Sequence, residues 1–351
     1  MKQIPAYSLK EKLYTFFYVD DSILLGPDPA ELDEIIEQMK QADLELTVEG
    51  DMADFLGVKI EHKEDGTIHL TQPHLIESIL KELHLNRPDT KAKSTPAASS
   101  KILGRFPDSP DFDNHFHYRR VIGKLNYLEK STRPEIAYAV HQCARFSAEP
   151  KLEHSNAIKW LGRYLYGTKD KGLILRPNDD SFNVYVDADF AGNWIPEDAM
   201  DDVNTARSRY GYVVMYRGCP VTWASKMQTE IALSSTESEY IGLSHSLKQV
   251  IPLIELVKKL QTLGVELLDG NPKVHCKLFE DNSGAIEMAR VPKIRPRTKH
   301  INVKYHHFRD YVFRNEISIV YIHTDEQLAD ILTKPVNEQK LNKHRLTING
   351  W

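Results

Sequence analysis

From Phe182 onward the chain reads as three strands, a long helix, a strand, two helices, a strand and a helix, and that order leaves few folds open. The strands fall at 183–188, 209–217, 220–225, 274–280 and 317–322, and the long helix runs from about Ser235 to Leu263. Strands first, with helices interleaved afterwards, give one mixed sheet with helices packed on it.

Upstream the elements are shorter. Two β-prone runs in LYTFFYVDDSILL (13–25) flank an acidic pair, which makes a hairpin with Asp20 and Asp21 at its tip. Gly26, Pro27 and Pro29 end it, and Leu32, Ile35, Ile36 and Met39 then follow a helical spacing. Short strands over 43–60, a turn at 64–67 and IHLTQ suggest another hairpin, and 73–83 an amphipathic helix. Residues 86–116 turn Pro/Ser/Ala-rich and are expected to be a linker. Three helices follow within 117–178.

A chain of 351 residues can bury two or three cores. No run approaches the roughly 18 apolar residues of a membrane span, and the N-terminus lacks the apolar core of a signal peptide. Cys143, Cys219 and Cys276 are too scattered for a zinc site and read as core thiols in a reducing compartment. A net charge of −5 is not that of a general nucleic-acid binder. Residues 290–309, however, hold seven Lys/Arg, three His and no acid, enough for a phosphate-binding strip around Arg295, Arg297, Lys299 and His300. A solvated basic face is the competing explanation.

Four acids in separate short words carry the chemistry: Asp187 in VYVDADFAGNW, Glu237 in ALSSTESEY, Asp281 in LFEDNSGAI and Asp330 in HTDEQLADILTK. Carboxylates delivered from separate segments suit a pair of hard divalent cations that hold a phosphodiester for in-line displacement. Strand alternation puts Tyr185, Asp187 and Asp189 on one face. Glu237 borders an apolar face marked by Tyr240 and Leu243 and is preferred, with Glu239 the competing acid. Three of the acids also have a structural explanation: a turn former for Asp187, a helix-dipole charge for Glu237, an N-cap for Asp281. His323, at a strand end, could pass a proton to a leaving group.

Residues 182–337 resemble the ribonuclease H domain of Ty1/copia-type retrotransposon Pol polyproteins, through VDADFAG, TWASKMQTEIALSSTESEY, DNSGAIEMA, RTKHINVKYHHFRDYV and DEQLADILTKPV. The earlier part resembles the reverse transcriptase of the same polyproteins, through YVDDSILLG, FLGVKI, LTQPHLIESIL and YRRVIGKLNYLEKSTRPEIAYAV. The resemblance implies an α+β / α/β chain: a truncated palm and thumb over 1–85, the linker over 86–116, a helical connection over 117–178, a ribonuclease H-like mixed sheet with flanking helices over 179–337, and a C-terminal tail over 338–351.

It also implies an activity: hydrolysis of RNA in RNA–DNA hybrids with two Mg²⁺ ions, or Mn²⁺ in their place. Carried over, the metal ligands are Asp187, Glu237, Asp281 and Asp330, and His323 takes the position of the family's mobile histidine. Asp20 and Asp21 match the polymerase's metal-proximal pair, but only 17 residues precede Tyr18 and none is Asp. A vestigial polymerase is therefore expected. A palm supplied in trans by another chain, and a catalytically silent nucleic-acid-binding remnant, are the alternatives. Expected partners are the hybrid and other Pol or Gag products, with no membrane and no small-molecule cofactor. Cytoplasmic virus-like particles, and later the nucleus, are the expected location.

Overall fold

The structure, a computed structural model, describes residues 13–18, 21–26, 28–42, 44–50, 52–98, 102–265, 273–290 and 307–351. The chain forms two units, one of residues 1–52 with 255–273, the other of 53–254 with 274–351.

In the first unit β1 (Tyr14–Tyr18) and β2 (Asp21–Leu25) pair antiparallel, with Tyr18 opposite Asp21. Helix α1 (Pro29–Gln41) starts where proline is best tolerated, at the first helical position, and the Asp28 carboxylate accepts from the Ala30 amide at 2.9 Å. The hairpin and helix are where the sequence pattern put them.

The second unit opens with β3 (Asp54–Phe55), β4 (Val58–His62) and β5 (Ile68–Thr71), then α2 (Pro73–Glu82). Helices α3 (Tyr118–Ser131), α4 (Ala137–Ala144) and α5 (Leu152–Gly167) follow, and β6 (Leu173–Leu175) closes the small antiparallel sheet in the order β3-β4-β5-β6. Next come β7 (Phe182–Asp189), β8 (Arg209–Tyr216), β9 (Cys219–Met227) and α6 (Ser235–Thr262), whose residues from Glu255 group with the first unit. The chain ends through β10 (Cys276–Glu280), α7 (Ser283–Arg290), α8 (Arg309–Phe313), β11 (Ile317–Tyr321), α9 (Asp330–Thr333) and α10 (Glu338–Asn349).

The five long strands form one mixed sheet in the order β11-β10-β7-β8-β9. β7, β8 and β9 are antiparallel neighbours, whereas β10 lies parallel to both β7 and β11. This is the mixed sheet expected from the element order. The parallel junction sets the ends of β7 and β10 side by side, since Phe279 pairs with Tyr185. Acids just beyond that pair therefore meet.

One apolar core runs from the helices to the sheet, joining Leu80, Leu125, Leu128, Val140 and Leu161 to Val213, Trp223, Leu332, Leu341 and Ile348. The Trp223 indole also donates to the Glu129 carbonyl at 2.8 Å. Two stretches differ from expectation here. In residues 86–116, expected as a linker, Phe112 and Phe116 are buried in the core, the Arg105 amide donates to Asp198 at 2.8 Å, and the Thr95 carbonyl accepts from the Trp160 indole at 2.9 Å. Residues 338–351, expected as a tail, are largely helix α10, with an Asn337 cap on the Lys340 amide at 2.8 Å. Its Leu341 and Ile348, seven residues apart, lie on one buried face. Among the described residues no helix is long and apolar enough to cross a membrane.

Candidate active site

Asp187 stands near the end of β7. Val184, Val186 and Ala188 are buried on one face of that strand, and Asp187 is itself 3% exposed. Glu239 comes from the first turns of α6 and Asp281 from the residue after β10. One carboxylate oxygen from each of Asp187, Glu239 and Asp281 lies within 4.8 Å of the other two.

Two glycines permit this approach. A Cβ at Gly284 would stand 2.9 Å from the Thr236 hydroxyl, so glycine lets the start of α7 close onto the start of α6. A Cβ at Gly211 would stand 2.6 Å from the Leu332 Cβ, so glycine in β8 lets α9, which carries Asp330, lie against the sheet.

The alternative role of an N-cap falls to a neighbour of Asp281. The Asn282 side chain accepts from the Ala285 amide at 3.0 Å and caps α7. Asp281 instead accepts from the Thr324 hydroxyl at 2.7 Å, in the turn after β11. Glu237, the preferred glutamate of the sequence reading, takes the helix-end role: its Oε2 accepts from the Leu233 amide at 2.9 Å, while its own amide donates to Ser234 Oγ at 3.2 Å. The structure thus brings Glu239, not Glu237, to Asp187 and Asp281.

Asp330 is fully buried and approaches the group through a lysine. Lys334 Nζ lies 2.8 Å from Asp330 Oδ1 and 3.6 Å from Asp187 Oδ2. Lys340, from α10, pairs with Asp330 Oδ2, and the Thr333 hydroxyl donates to Asp187. His323 is exposed, and its Nδ1 accepts from the Asp325 amide at 3.2 Å. Asp21 opens β2 and is exposed. Asp20, Arg295, Arg297, Lys299 and His300 lie outside the described residues.

Sequence reasoning missed Glu280. It ends the buried face Cys276, Leu278, Glu280 of β10, and an acid in an otherwise apolar alternation was the available signal. It also missed Lys334, although its spacing of four from Asp330 is that of a helical ion pair. Lys340 had no local signal.

Burial dominates the electrostatics. It raises the pKa of Asp187, with Lys334 opposing and Asp330 adding to the rise. It raises Glu239 well above the carboxylate range, helped by Glu280 and Asp187, and it raises Glu280, where the Asn282 amide opposes and Asp281 adds. Burial works against the Lys334 ammonium, but Asp187 and Asp330 outweigh it and its pKa is raised.

These residues fit a hard divalent cation. Three carboxylates converge from three segments, and Oε2 of buried Glu239 has no hydrogen-bond partner. An orphaned carboxylate oxygen in a buried acidic group is costly unless a cation satisfies it.

No family model matches the chain. Among curated proteins it is 33% identical over 329 residues to the retrovirus-related Pol polyprotein from transposon RE1 of Arabidopsis thaliana, covering 93% of this chain and 21% of that protein. It thus spans about a fifth of that relative's length. It is 30% identical to the putative transposon Ty5-1 protein of Saccharomyces cerevisiae, covering 68% of this chain and 74% of that one. Among solved structures, an N-terminal ribonuclease H domain from Mycobacterium tuberculosis, fused to maltose-binding protein, matches 47% of this chain and 96% of that chain. The identity is 13% and the TM-score 0.26, too low to bear on the fold.

Proposed function

Because the chain belongs to the Ty1/copia-type retrotransposon Pol polyproteins, we propose that its site hydrolyses the RNA strand of RNA–DNA hybrids in the ribonuclease H manner. The observation that carries this reading is the convergence of Asp187, Glu239 and Asp281 within 4.8 Å, with Asp330 tied to Asp187 through Lys334. Asp187, Glu239, Asp281 and Asp330 would hold Mg²⁺, or Mn²⁺ in its place. Divalent cations held there would supply charge stabilisation at the scissile phosphate and acidify a water nucleophile.

The chain's own residues do the rest. Glu239 replaces Glu237 in the ligand set, because the Glu237 carboxylate is engaged with the Leu233 amide. Thr324 fixes the Asp281 carboxylate and Thr333 fixes that of Asp187, so two of the three converging acids are oriented by hydroxyl donors. Exposed His323, next to Thr324, would deliver a proton to the departing oxygen after its ring releases the Asp325 amide. Selection of a hybrid would rest on 2′-hydroxyl contacts and on the basic strip with Arg295, Arg297, Lys299 and His300. Asp20 and Asp21 are proposed as counterparts of the polymerase's metal-proximal pair, with Asp21 opening the second strand of the β1–β2 hairpin.

The test is Mg²⁺-dependent cleavage of a labelled RNA–DNA hybrid by the purified chain, with Asp281→Asn as control. Cleavage lost in the control supports the reading. A folded chain that binds hybrid but leaves it intact in both Mg²⁺ and Mn²⁺ is instead a silent nucleic-acid-binding remnant.

A further inference from the structure

The two sides of Asp187 are not alike. Toward Glu239 and Asp281 it meets carboxylates, one with an unpartnered buried oxygen. Toward Asp330 it meets an ammonium, since Lys334 Nζ bridges Asp330 Oδ1 at 2.8 Å and Asp187 Oδ2 at 3.6 Å. Lys340 takes the other oxygen of Asp330 and also donates to the Thr324 carbonyl at 3.1 Å. One side is an acidic cradle that, among the described residues, meets an ammonium only at the 3.6 Å contact of Lys334 with Asp187. The other is a carboxylate already paired twice.

We propose that Lys334 and Lys340 hold the place of a second cation, so that the chain without nucleic acid takes one divalent ion at Asp187–Glu239–Asp281 and admits another only when these ammonium groups leave. The proposal rests on the metal-site reading above. A divalent ion coordinated by both Asp187 and Asp330 would stand within a few ångströms of Lys334, and like charges at that range in a buried site repel strongly. Both lysines can leave: their side chains are 35% and 22% exposed, whereas Asp330 is 0% exposed.

Each ammonium is held by a different element. Lys334 follows α9 directly and its amide donates to the Asp330 carbonyl at 3.1 Å. Lys340 belongs to α10, where the Asn337 cap receives its amide. The C-terminal helix therefore reaches the site through Lys340. A nucleic-acid phosphate entering beside Asp330 supplies the negative charge toward which both lysines can turn, which links occupancy of the second position to substrate arrival.

The experiment is calorimetric titration of the full chain with Mn²⁺ in the absence of nucleic acid, comparing the parent with Lys334→Met, Lys340→Met and the double variant. The parent should bind one ion, with any second ion weaker by about tenfold or more. The double variant should tighten the second event by a similar factor. Removing both lysines leaves Asp330 buried without a partner, which can prevent folding. Lys334→Met alone, in which Lys340 still neutralises Asp330, then carries the test, with an expected tightening of roughly severalfold. Two equal ions on the parent, or a folded Lys334→Met variant that still takes only one with unchanged affinity, overturns the proposal. No Mn²⁺ binding by the parent would overturn the metal site itself, and is told apart because Asp281→Asn would then titrate identically.

Discussion

Asn349, two residues from the C-terminus, donates a 2.7 Å hydrogen bond to the buried carboxylate of Glu135, 214 positions earlier. Glu135 also accepts from Arg133 Nε at 2.7 Å, and both members of that ion pair are 0% exposed. A buried pair of this kind is stable only when the remaining lone pairs are satisfied, so the last turn of α10 completes a charge network deep in the helical region. Asn349→Ala should lower the unfolding free energy by about 1–3 kcal/mol. Thr347→Ala, on the exposed side of the same helix, should change it by less than about 0.5 kcal/mol. Urea midpoints of the two variants check this. Equal midpoints would mean that the helix end contributes nothing through Glu135.

Glu239 and Glu237 are separable by substitution. Glu239→Gln should abolish the tight Mn²⁺ event and reduce hybrid cleavage by about a hundredfold or more. Glu237→Ala should leave Mn²⁺ affinity within about twofold while costing roughly 0.5–1 kcal/mol of stability through the helix start. Titration calorimetry with thermal unfolding resolves both. The reverse pattern would return Glu237 to the ligand set.

The sequence reading preferred Glu237, whereas the structure sets Glu239 beside Asp187 and Asp281, and the difference has a physical reason. Amphipathic phase is readable only where a helix has an exposed side, and residues 237–244 are buried all round. Strand order, by contrast, was legible because alternation and turn residues are local properties, and the five sheet strands appear close to the expected places. Asp187 and Asp281 were legible at strand ends for the same reason. Lys340 and Asp330 meet only through the packing of α10, which no local pattern encodes. The Pro/Ser-rich stretch before Tyr118 looked like a linker because composition outweighed its two buried phenylalanines, Phe112 and Phe116.

Gly211 tests whether the closeness of α9 to β8 sets the position of Asp330. Alanine there would force a Cβ to 2.6 Å from the Leu332 Cβ and 3.2 Å from the Leu332 carbonyl carbon, so backbone must move and not only a side chain. Gly211→Ala should cost about 1–3 kcal/mol and reduce cleavage more than it reduces the first Mn²⁺ event, because Asp187, Glu239 and Asp281 do not sit on α9. Equal losses in both would place the disturbance in the sheet as a whole.

The buried acids also fix the sign of the pH dependence. The carboxyl groups of Asp187, Glu239 and Glu280 all have raised pKa values, burial being the first cause in each, and that of Asp187 reaches about 7. In the unfolded chain these groups release their protons near pH 4. Between that range and about pH 7 the metal-free fold therefore holds more protons on these three carboxyls than the unfolded chain does, and they lower stability as pH rises through the window; buried His344, pushed down to about 4, works the other way but is one group against three. Lys334 does not reverse this, because its raised pKa matters only above the ordinary lysine range. The melting temperature of the metal-free chain should decline from pH 5 to pH 7.5, by about 2–4 °C for each kcal/mol lost. Saturating Mn²⁺ should flatten the decline, since a cation takes over from the protons, and Asp187→Asn should flatten part of it without metal. A melting temperature that rises across this window in the metal-free chain would mean that the three carboxylates are already ionised in the fold, with the lysines neutralising the whole cluster rather than the Asp330 side alone.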